Sequence, residues 1–389
     1  PLSPKIFRVF PIIPLAGLNP NPPQEPFQPG QLSQVLHRMD IFTYGYGFIW
    51  QIIQKFELIA GVPLTIAQAK AIRDFTISRI VTFEAAYDFH HPNLPYTQSP
   101  IYPLLETTEK THVSYLMGSM MCQTAGGEAV KQRLGIHVGR LFHTKLLETK
   151  ANFANAIVIV AARKGRPDFV AIDSNHNLHL FEAKGTGNEF EAEPVWVGLQ
   201  QVLNIFTLNG CLPYSRNVCY SYVQPWQLSQ APLVVNQMPA IHTSVFHIPA
   251  RTETVKQRQI ESMQKTRAVL TGRYALALYY QIQAFSEIEI LGDVETGWAR
   301  VEISEIGVIF FVSGRFIGVI RSASTEAKLN AVVGRTEFPN YLDEACFRIG
   351  QEILLIDQEE RTLPLEFQSA IFVEGNWLAV MSSEQGIAD

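Results

Sequence analysis

Apolar positions recur at two different periods along this chain, and the change of period organises it. From Gln31 to Ala60, and again from Thr65 to Tyr87, the spacing is helical. Thr65 stands before the run AQAKAIRDF as a helix-start signal. A third helical pattern covers residues 110 to 149, with an interruption expected near Gly126 and Gly127. Val130, Leu134, Val138, Leu141 and Phe142 form its buried stripe. The pattern then shifts to short apolar runs rich in β-branched residues: Ala156 to Ala161, Asp168 to Ile172 and Leu178 to Ala183 read as three strands. The last two are separated by Asp173-Ser174-Asn175-His176-Asn177, a polar turn cluster. Pro194 opens a further helix, where a missing donor does no harm. Val195, Leu199, Val202 and Phe206 share one face of it, and Asn217 to Val223 follows as a strand. The core order is helix, three strands, helix, strand.

The flanks differ from this core. Nine prolines in the first thirty residues make that stretch extended and irregular. His91 to Pro103 reads as a second proline-containing loop. Residues 251 to 284 form a helical pattern, basic at its start. Beyond it, strands are expected at Glu287 to Leu291, Ala299 to Ile303, Val308 to Val312, Phe316 to Ile320, Ile353 to Ile356 and Ala370 to Val373. Three units follow: a mainly helical region at 1–105, a core at 106–250, and a basic helix with a β-rich unit at 251–389. The length of 389 residues fits two or three domains at roughly 150 residues each.

Composition narrows the functional classes. Hydrophobic residues make up 47% and charged residues 17%, which is a folded globular chain and not a disordered one. A net charge of -5 gives no global attraction to nucleic acid, so any such contact must use local basic clusters. Cys122, Cys211, Cys219 and Cys346 form no CxxC pair, which favours a reducing, cytoplasmic setting. No run approaches the ~18 apolar residues of a membrane span, so no membrane partner is expected. Gly307 to Ile320, the most apolar stretch, reads as two strands joined by a turn at Ser313-Gly314-Arg315. No secretion signal is evident at Pro1 to Pro14.

The chemistry is concentrated in Pro167-Asp168-Phe169-Val170-Ala171-Ile172 and, past the turn, Leu180-Phe181-Glu182-Ala183-Lys184-Gly185. Residues two apart on a strand point the same way, so Glu182 and Lys184 share a face. A tight turn after Ile172 folds Asp168 back beside Glu182. Two carboxylates and one ammonium then meet on otherwise apolar strands. Close carboxylates repel, and a divalent cation relieves that cost. Oxygen ligands with open positions suit Mg²⁺ or Mn²⁺, which polarise a phosphoryl oxygen and acidify water.

Pro167-Asp168 followed by Glu182-Ala183-Lys184 resembles the PD-(D/E)xK motif of restriction-endonuclease-like nucleases, and the α-β-β-β-α-β order resembles their core. The resemblance covers roughly residues 110 to 225. It implies an α/β fold with a mixed-sheet core, flanked by the helical N-terminal region and the β-rich C-terminal unit. It also implies that Asp168 and Glu182 bind metal with the Ala183 carbonyl, and that Lys184 assists the attacking water. Glu128, on the first core helix, is the nearest candidate for a further acidic ligand. The exonuclease branch carries a glutamine and an aromatic residue four apart on the following helix. Here Gln200 and Gln201 are followed at that spacing by Asn204 and Ile205, which argues against that branch. The expected activity is metal-dependent cleavage of nucleic acid, double-stranded DNA before RNA, in restriction, phage defence or repair. The competing reading is a nucleic-acid-binding or scaffold protein with an inactive site. Because cutting two strands needs two sites, a homodimer is an expectation.

Arg163, Lys164 and Arg166 lead into Asp168 and, with Gln200 and Gln201, are the candidate nucleic-acid contacts. Lys131, Arg133, Arg140, Lys145 and Lys150 extend the first basic cluster. A second contains Arg251, Lys256, Arg258, Lys265, Arg267 and Arg273. Such clusters position phosphates without reading sequence. Asp173-x-Asn175-x-Asn177 begins like a calcium loop, but Leu178 replaces the required glycine and Lys184 the final glutamate, so a turn is expected. Gly185-x-Gly187 ends at Phe190 and does not complete a dinucleotide motif. Glu84, Asp88, His90 and His91 read as a helix end running into a loop.

Overall fold

A computed structural model describes residues 45–58, 63–88, 97–150, 154–161, 166–226, 238–249, 257–285, 289–291, 297–304, 307–358, 370–374 and 377–382. The proline-rich start, residues 91–96 of the His91–Pro103 loop, and Arg163, Lys164, Arg251 and Lys256 lie outside them. Helices α1 (Tyr46–Phe56) and α2 (Ile66–Ala86) open the described chain. Thr65 caps α2 as its sequence suggests: its hydroxyl accepts from Gln68 N–H, and the Gln68 side chain accepts from Thr65 N–H.

Two-residue strands β1 (Tyr87–Asp88) and β2 (Thr97–Gln98) precede α3 (Thr107–Leu134). Helix α3 runs unbroken through Gly126 and Gly127, where an interruption was expected. A side chain at Gly126 would meet Phe181 at 3.1 Å and Cys219 at 3.2 Å, so this glycine serves close packing. The helix stops at Gly135, whose φ of 68° is the left-handed ending glycine favours. It therefore does not reach 149. Val138, Leu141 and Phe142 are buried, but from a loop and from β3 (Phe142–His143).

Next come β4 (Ile159–Ala161), β5 (Phe169–Ile172), β6 (Leu178–Gly185), α4 (Ala192–Val202), β7 (Ile205–Leu208), β8 (Pro213–Trp226) and β9 (Met238–Pro249). A seven-stranded sheet has the order β1-β2-β9-β8-β6-β5-β3. The β6–β8 pair is parallel and its other pairs are antiparallel, so the sheet is mixed. Two expectations need correction. Strand β4 pairs with β7 in a separate two-stranded sheet, and β3 takes the place beside β5. Phe206, expected on α4, lies in β7.

Helix α5 (Gln257–Gln283) leads to β10 (Glu289–Leu291), β11 (Trp298–Ile303) and β12 (Val308–Ser313), then α6 (Gly314–Val332), α7 (Tyr341–Ile356), β13 (Ile371–Glu374) and β14 (Leu378–Ser382). The five strands form a sheet in the order β10-β11-β12-β14-β13. Phe316–Ile320 and Ile353–Ile356 are helical, not strands. The buried set Phe316, Ile317, Ile320, Ala323 and Ala327 has helical spacing, and α7 buries Leu342, Ala345, Ile349 and Ile353 at the same period.

One buried apolar cluster runs from Tyr46 in α1 to Val380 in β14 and crosses both expected boundaries, at 105/106 and 250/251. At its centre Arg273, fully buried on α5, donates to Asp343 of α7, to Leu146 O and, at 3.0 Å, to Asn155. This arginine, expected in a phosphate-binding cluster, instead ties helices together. No helix of the described residues is long and apolar enough to cross a membrane, and Cys122, Cys211, Cys219 and Cys346 are free and buried.

Candidate active site

Strand β6 is covered on both faces. Its odd-numbered residues face α3, where Gly126 packs on Phe181 and Cys219. On the opposite face Glu182 and Lys184 meet α4, whose Val195, Leu199 and Val202 pack with Val218, Tyr220, Tyr222 and Phe246. A Cβ at Gly198 of α4 would stand 2.7 Å from Val218 Cγ1 and 3.4 Å from Glu182 Cγ, so the glycine lets the helix lie close on β8 and beside Glu182.

Antiparallel pairing of Phe169 with Phe181 puts Asp168 one step further, level with Glu182. Asp168 Oδ2 accepts from the Ala183 N–H at 2.9 Å. N–H and C=O of one strand residue leave on the same side, so the Ala183 carbonyl also faces the Asp168 edge. Glu182 is 1% exposed. Its Oε1 accepts from Lys184 Nζ at 2.5 Å, and its Oε2 is buried without a hydrogen-bond partner among the described residues. Lys184 Nζ also donates to Gln201 Oε1 of α4 at 2.5 Å. Asp168, Glu182, Ala183 and Lys184 thus converge.

Burial, and next the neighbouring Asp168 charge, push the Glu182 carboxyl up to about 8, against the pull of Lys184. Burial raises Asp168 as well, opposed by the Ala183 N–H and the Lys184 ammonium. Beneath the carboxylates, burial raises the Cys122 thiol, helped by Cys219 and by the charges of Asp168 and Glu182.

Two close carboxylates, one with an oxygen lacking a partner, and a carbonyl on the same edge make a donor set of hard oxygens. That chemistry fits Mg²⁺ or Mn²⁺. Among the described residues, no group of three or more His, Cys, Asp or Glu is placed to hold a metal ion, so the site offers two protein carboxylates only. Glu128 belongs to α3, but its side chain lies outside what is described.

The remaining candidates are dispersed. Arg166 donates to Glu148 at 3.0 Å, Lys145 and Lys150 pair with Glu148 and Glu57 at 3.6 Å, and Arg140 lies over the Tyr274 ring at 4.6 Å. Gln200 is exposed, whereas Gln201 is engaged by Lys184. The hold of Gln201 on Lys184 escaped the sequence reading. Its sequence signal is Gly198 three residues earlier, a small residue on the sheet-facing side of the same helix.

The expected turn is present. Asp173 accepts from Asn177 N–H at 2.8 Å, and His176 has φ 63°. His179 joins Asp173 (3.2 Å) to Ser215 (2.8 Å) in the order of a nucleophilic triad. Ser215 is fully buried and accepts from Asn217 at 3.0 Å, so this set anchors the turn to β8 and cannot reach a substrate. Gly187 lies against the Tyr102 hydroxyl, leaving the Gly185–Gly187 loop packed. Comparison with protein-family models, curated proteins and solved structures found no match.

Proposed function

We propose that the chain is a divalent-metal-dependent nuclease with a restriction-endonuclease-like core, cleaving phosphodiester bonds of double-stranded DNA in preference to RNA. The observation that carries this reading is the buried Oε2 of Glu182, without a hydrogen-bond partner among the described residues, beside an Asp168 fixed on the Ala183 N–H. Burying two adjacent carboxylates is costly, and a shared cation offsets that cost. The likeness to the PD-(D/E)xK family supports it. Helix α3, the β5–β6 hairpin, helix α4 and parallel strand β8 follow in the order that family uses.

Asp168, Glu182 and the Ala183 carbonyl would hold Mg²⁺ or Mn²⁺. When bound, the ion supplies polarisation of a phosphoryl oxygen and acidification of an attacking water. Lys184, 22% exposed at its side chain, is the group that reaches outward. Its ammonium orients that water and balances charge building on the phosphate. The Arg166 region and Gln200 offer contacts to the phosphate backbone, and pairing of two chains would present two sites to two strands.

A plasmid-nicking assay tests this. Nicking should require Mg²⁺ and vanish in Asp168→Ala. The second reading, a DNA-binding or scaffold protein with an idle site, is favoured by the direct Lys184–Glu182 pair and the count of two carboxylates. Magnesium-independent DNA retention without nicking would select it.

A further inference from the structure

We infer that Gln201 is a positioning residue that keeps the Lys184 ammonium at the site whether or not Glu182 is occupied by a cation; this rests on the metal-binding reading above. Lys184 Nζ has two anchors of different kinds, the Glu182 carboxylate and the Gln201 amide oxygen, both at 2.5 Å. The carboxylate anchor is conditional. A divalent cation held by Asp168 and Glu182 would compete for the Glu182 carboxylate and repel the ammonium beside it. A lysine on a flexible four-carbon stem with only that anchor would swing to solvent.

Gln201 supplies an anchor that the cation does not claim. Its amide is neutral, so it competes poorly with carboxylates for Mg²⁺, yet its oxygen accepts well from an ammonium. Its location is fixed by packing. Helix α4 buries Val195, Leu199 and Val202 against the sheet, and Gly198 brings it to within van der Waals distance of Glu182. Neighbours of Lys184 on the same strand cannot do this, since Phe181 and Ala183 face α3.

The test reads Lys184 directly. The folded chain is treated with limiting acetic anhydride in EDTA and again in Mg²⁺, and acetylation of Lys184 is quantified by mass spectrometry against the exposed Lys70 as internal reference. Gln201→Ala should leave Lys184 several-fold more reactive than in the parent, with a larger increase in Mg²⁺ than in EDTA. Gln201→Glu retains an acceptor and should stay protected. Cleavage by Gln201→Ala should lose kcat by about ten- to a hundredfold with KM for DNA unchanged, as for a misplaced reacting group. Equal Lys184 acetylation in the parent and Gln201→Ala under both conditions overturns the inference. Calorimetry of Mg²⁺ on the parent separates the two ideas: absence of binding overturns the metal reading, while acetylation in EDTA still decides whether Gln201 holds Lys184.

Discussion

Asp168 and Ala183 are joined by a hydrogen bond from the strand's own N–H to the Asp168 carboxylate at 2.9 Å. The bond fixes the first carboxylate of the site to the residue that stands between the second carboxylate and the lysine. It makes the geometry of the site a property of the β5–β6 hairpin. The same contact means that Asp168 has a structural duty beside any role with a cation, and substitutions must be chosen to separate the two.

Asp168→Asn keeps an oxygen for the Ala183 N–H and removes the charge. Stability should change by only ~1 kcal/mol or less, while Mg²⁺ binding and cleavage are lost together. Glu182→Gln should do the same. Lys184→Ala should retain or strengthen Mg²⁺ binding, since it removes a positive charge beside the carboxylates, yet reduce cleavage by roughly two orders of magnitude or more. Calorimetric metal titration and cleavage of labelled duplex, run on each variant, give the pattern. Parent-rate cleavage by Lys184→Ala would reduce that lysine to a structural partner.

Metal identity should matter in a defined way. Mg²⁺ and Mn²⁺ should support cleavage, and Ca²⁺ should bind with little turnover because it tolerates looser geometry and acidifies water less. Robust cleavage in excess EDTA would refute metal dependence.

The raised Glu182 carboxyl predicts a pH signature. Its folded value of about 8 lies above its ordinary 4.5, so its stabilising contribution is full below 4.5 and lost as pH rises through 8. Half-buried His143 acts in the opposite sense. Burial foremost, then Lys145 and Arg79, hold it at about 3 against an ordinary 6.5, so its contribution is lost as pH falls below 6.5. The interval from 6.5 to 8 lies above the His143 transition and spans that of Glu182. There, stability in EDTA should fall with rising pH in the parent and not in Glu182→Gln, measured by denaturant unfolding. Mg²⁺ affinity should rise by about tenfold per pH unit over the same interval, because binding displaces a proton. An affinity flat from pH 6.5 to 8 would contradict the raised Glu182 carboxyl.

Legibility of this fold in the sequence followed how local each determinant was. The Thr65 cap, the Asp173 turn and the same-face spacing of Glu182 and Lys184 are set within a few residues, and each is present where the pattern put it. Partner choice between distant strands is not local. Nothing around Ile159 says that it pairs with Leu208 and not with β5, nor that Phe142 fills the vacant edge. Short apolar runs also carry no period of their own, so Phe316–Ile320 and Ile353–Ile356 passed for strands although their helices bury residues four apart. Long β9 escaped because His242, Thr243, Ser244 and His247 interrupt its apolar pattern. At the site, Asp168, Glu182 and Lys184 were legible from the motif, while Gln201 was not, because its partner lies across the interface between α4 and β6.

That same dependence on close approach gives the last prediction. Helix α3 crosses β6 backbone to backbone just where the strand carries Lys184. A Cβ on Gly118 would stand 2.6 Å from the Lys184 carbonyl carbon and 2.7 Å from the Gly185 nitrogen. The obstacle is main chain and cannot rotate away. At Gly126, two helical turns on, the Cβ would meet only the Phe181 ring and Cys219 sulfur, at 3.1 and 3.2 Å, which can shift slightly. At Gly318 in α6 nothing lies within 4 Å. Alanine is favoured over glycine in a helix by up to ~1 kcal/mol, and that gain is common to all three positions. Gly318→Ala should therefore stabilise by about 0.5–1 kcal/mol. Gly126→Ala should fall near neutral or cost about 1 kcal/mol, and Gly118→Ala should cost about 2–3 kcal/mol net, in the range of overpacked cores. Denaturant midpoints at constant m-value measure the series. Gly118→Ala should also lose Lys184-dependent cleavage in whatever fraction remains folded, because relief of the clash moves the strand that aims the ammonium. A midpoint for Gly118→Ala equal to or above that of Gly318→Ala would mean that α3 and β6 do not meet this closely.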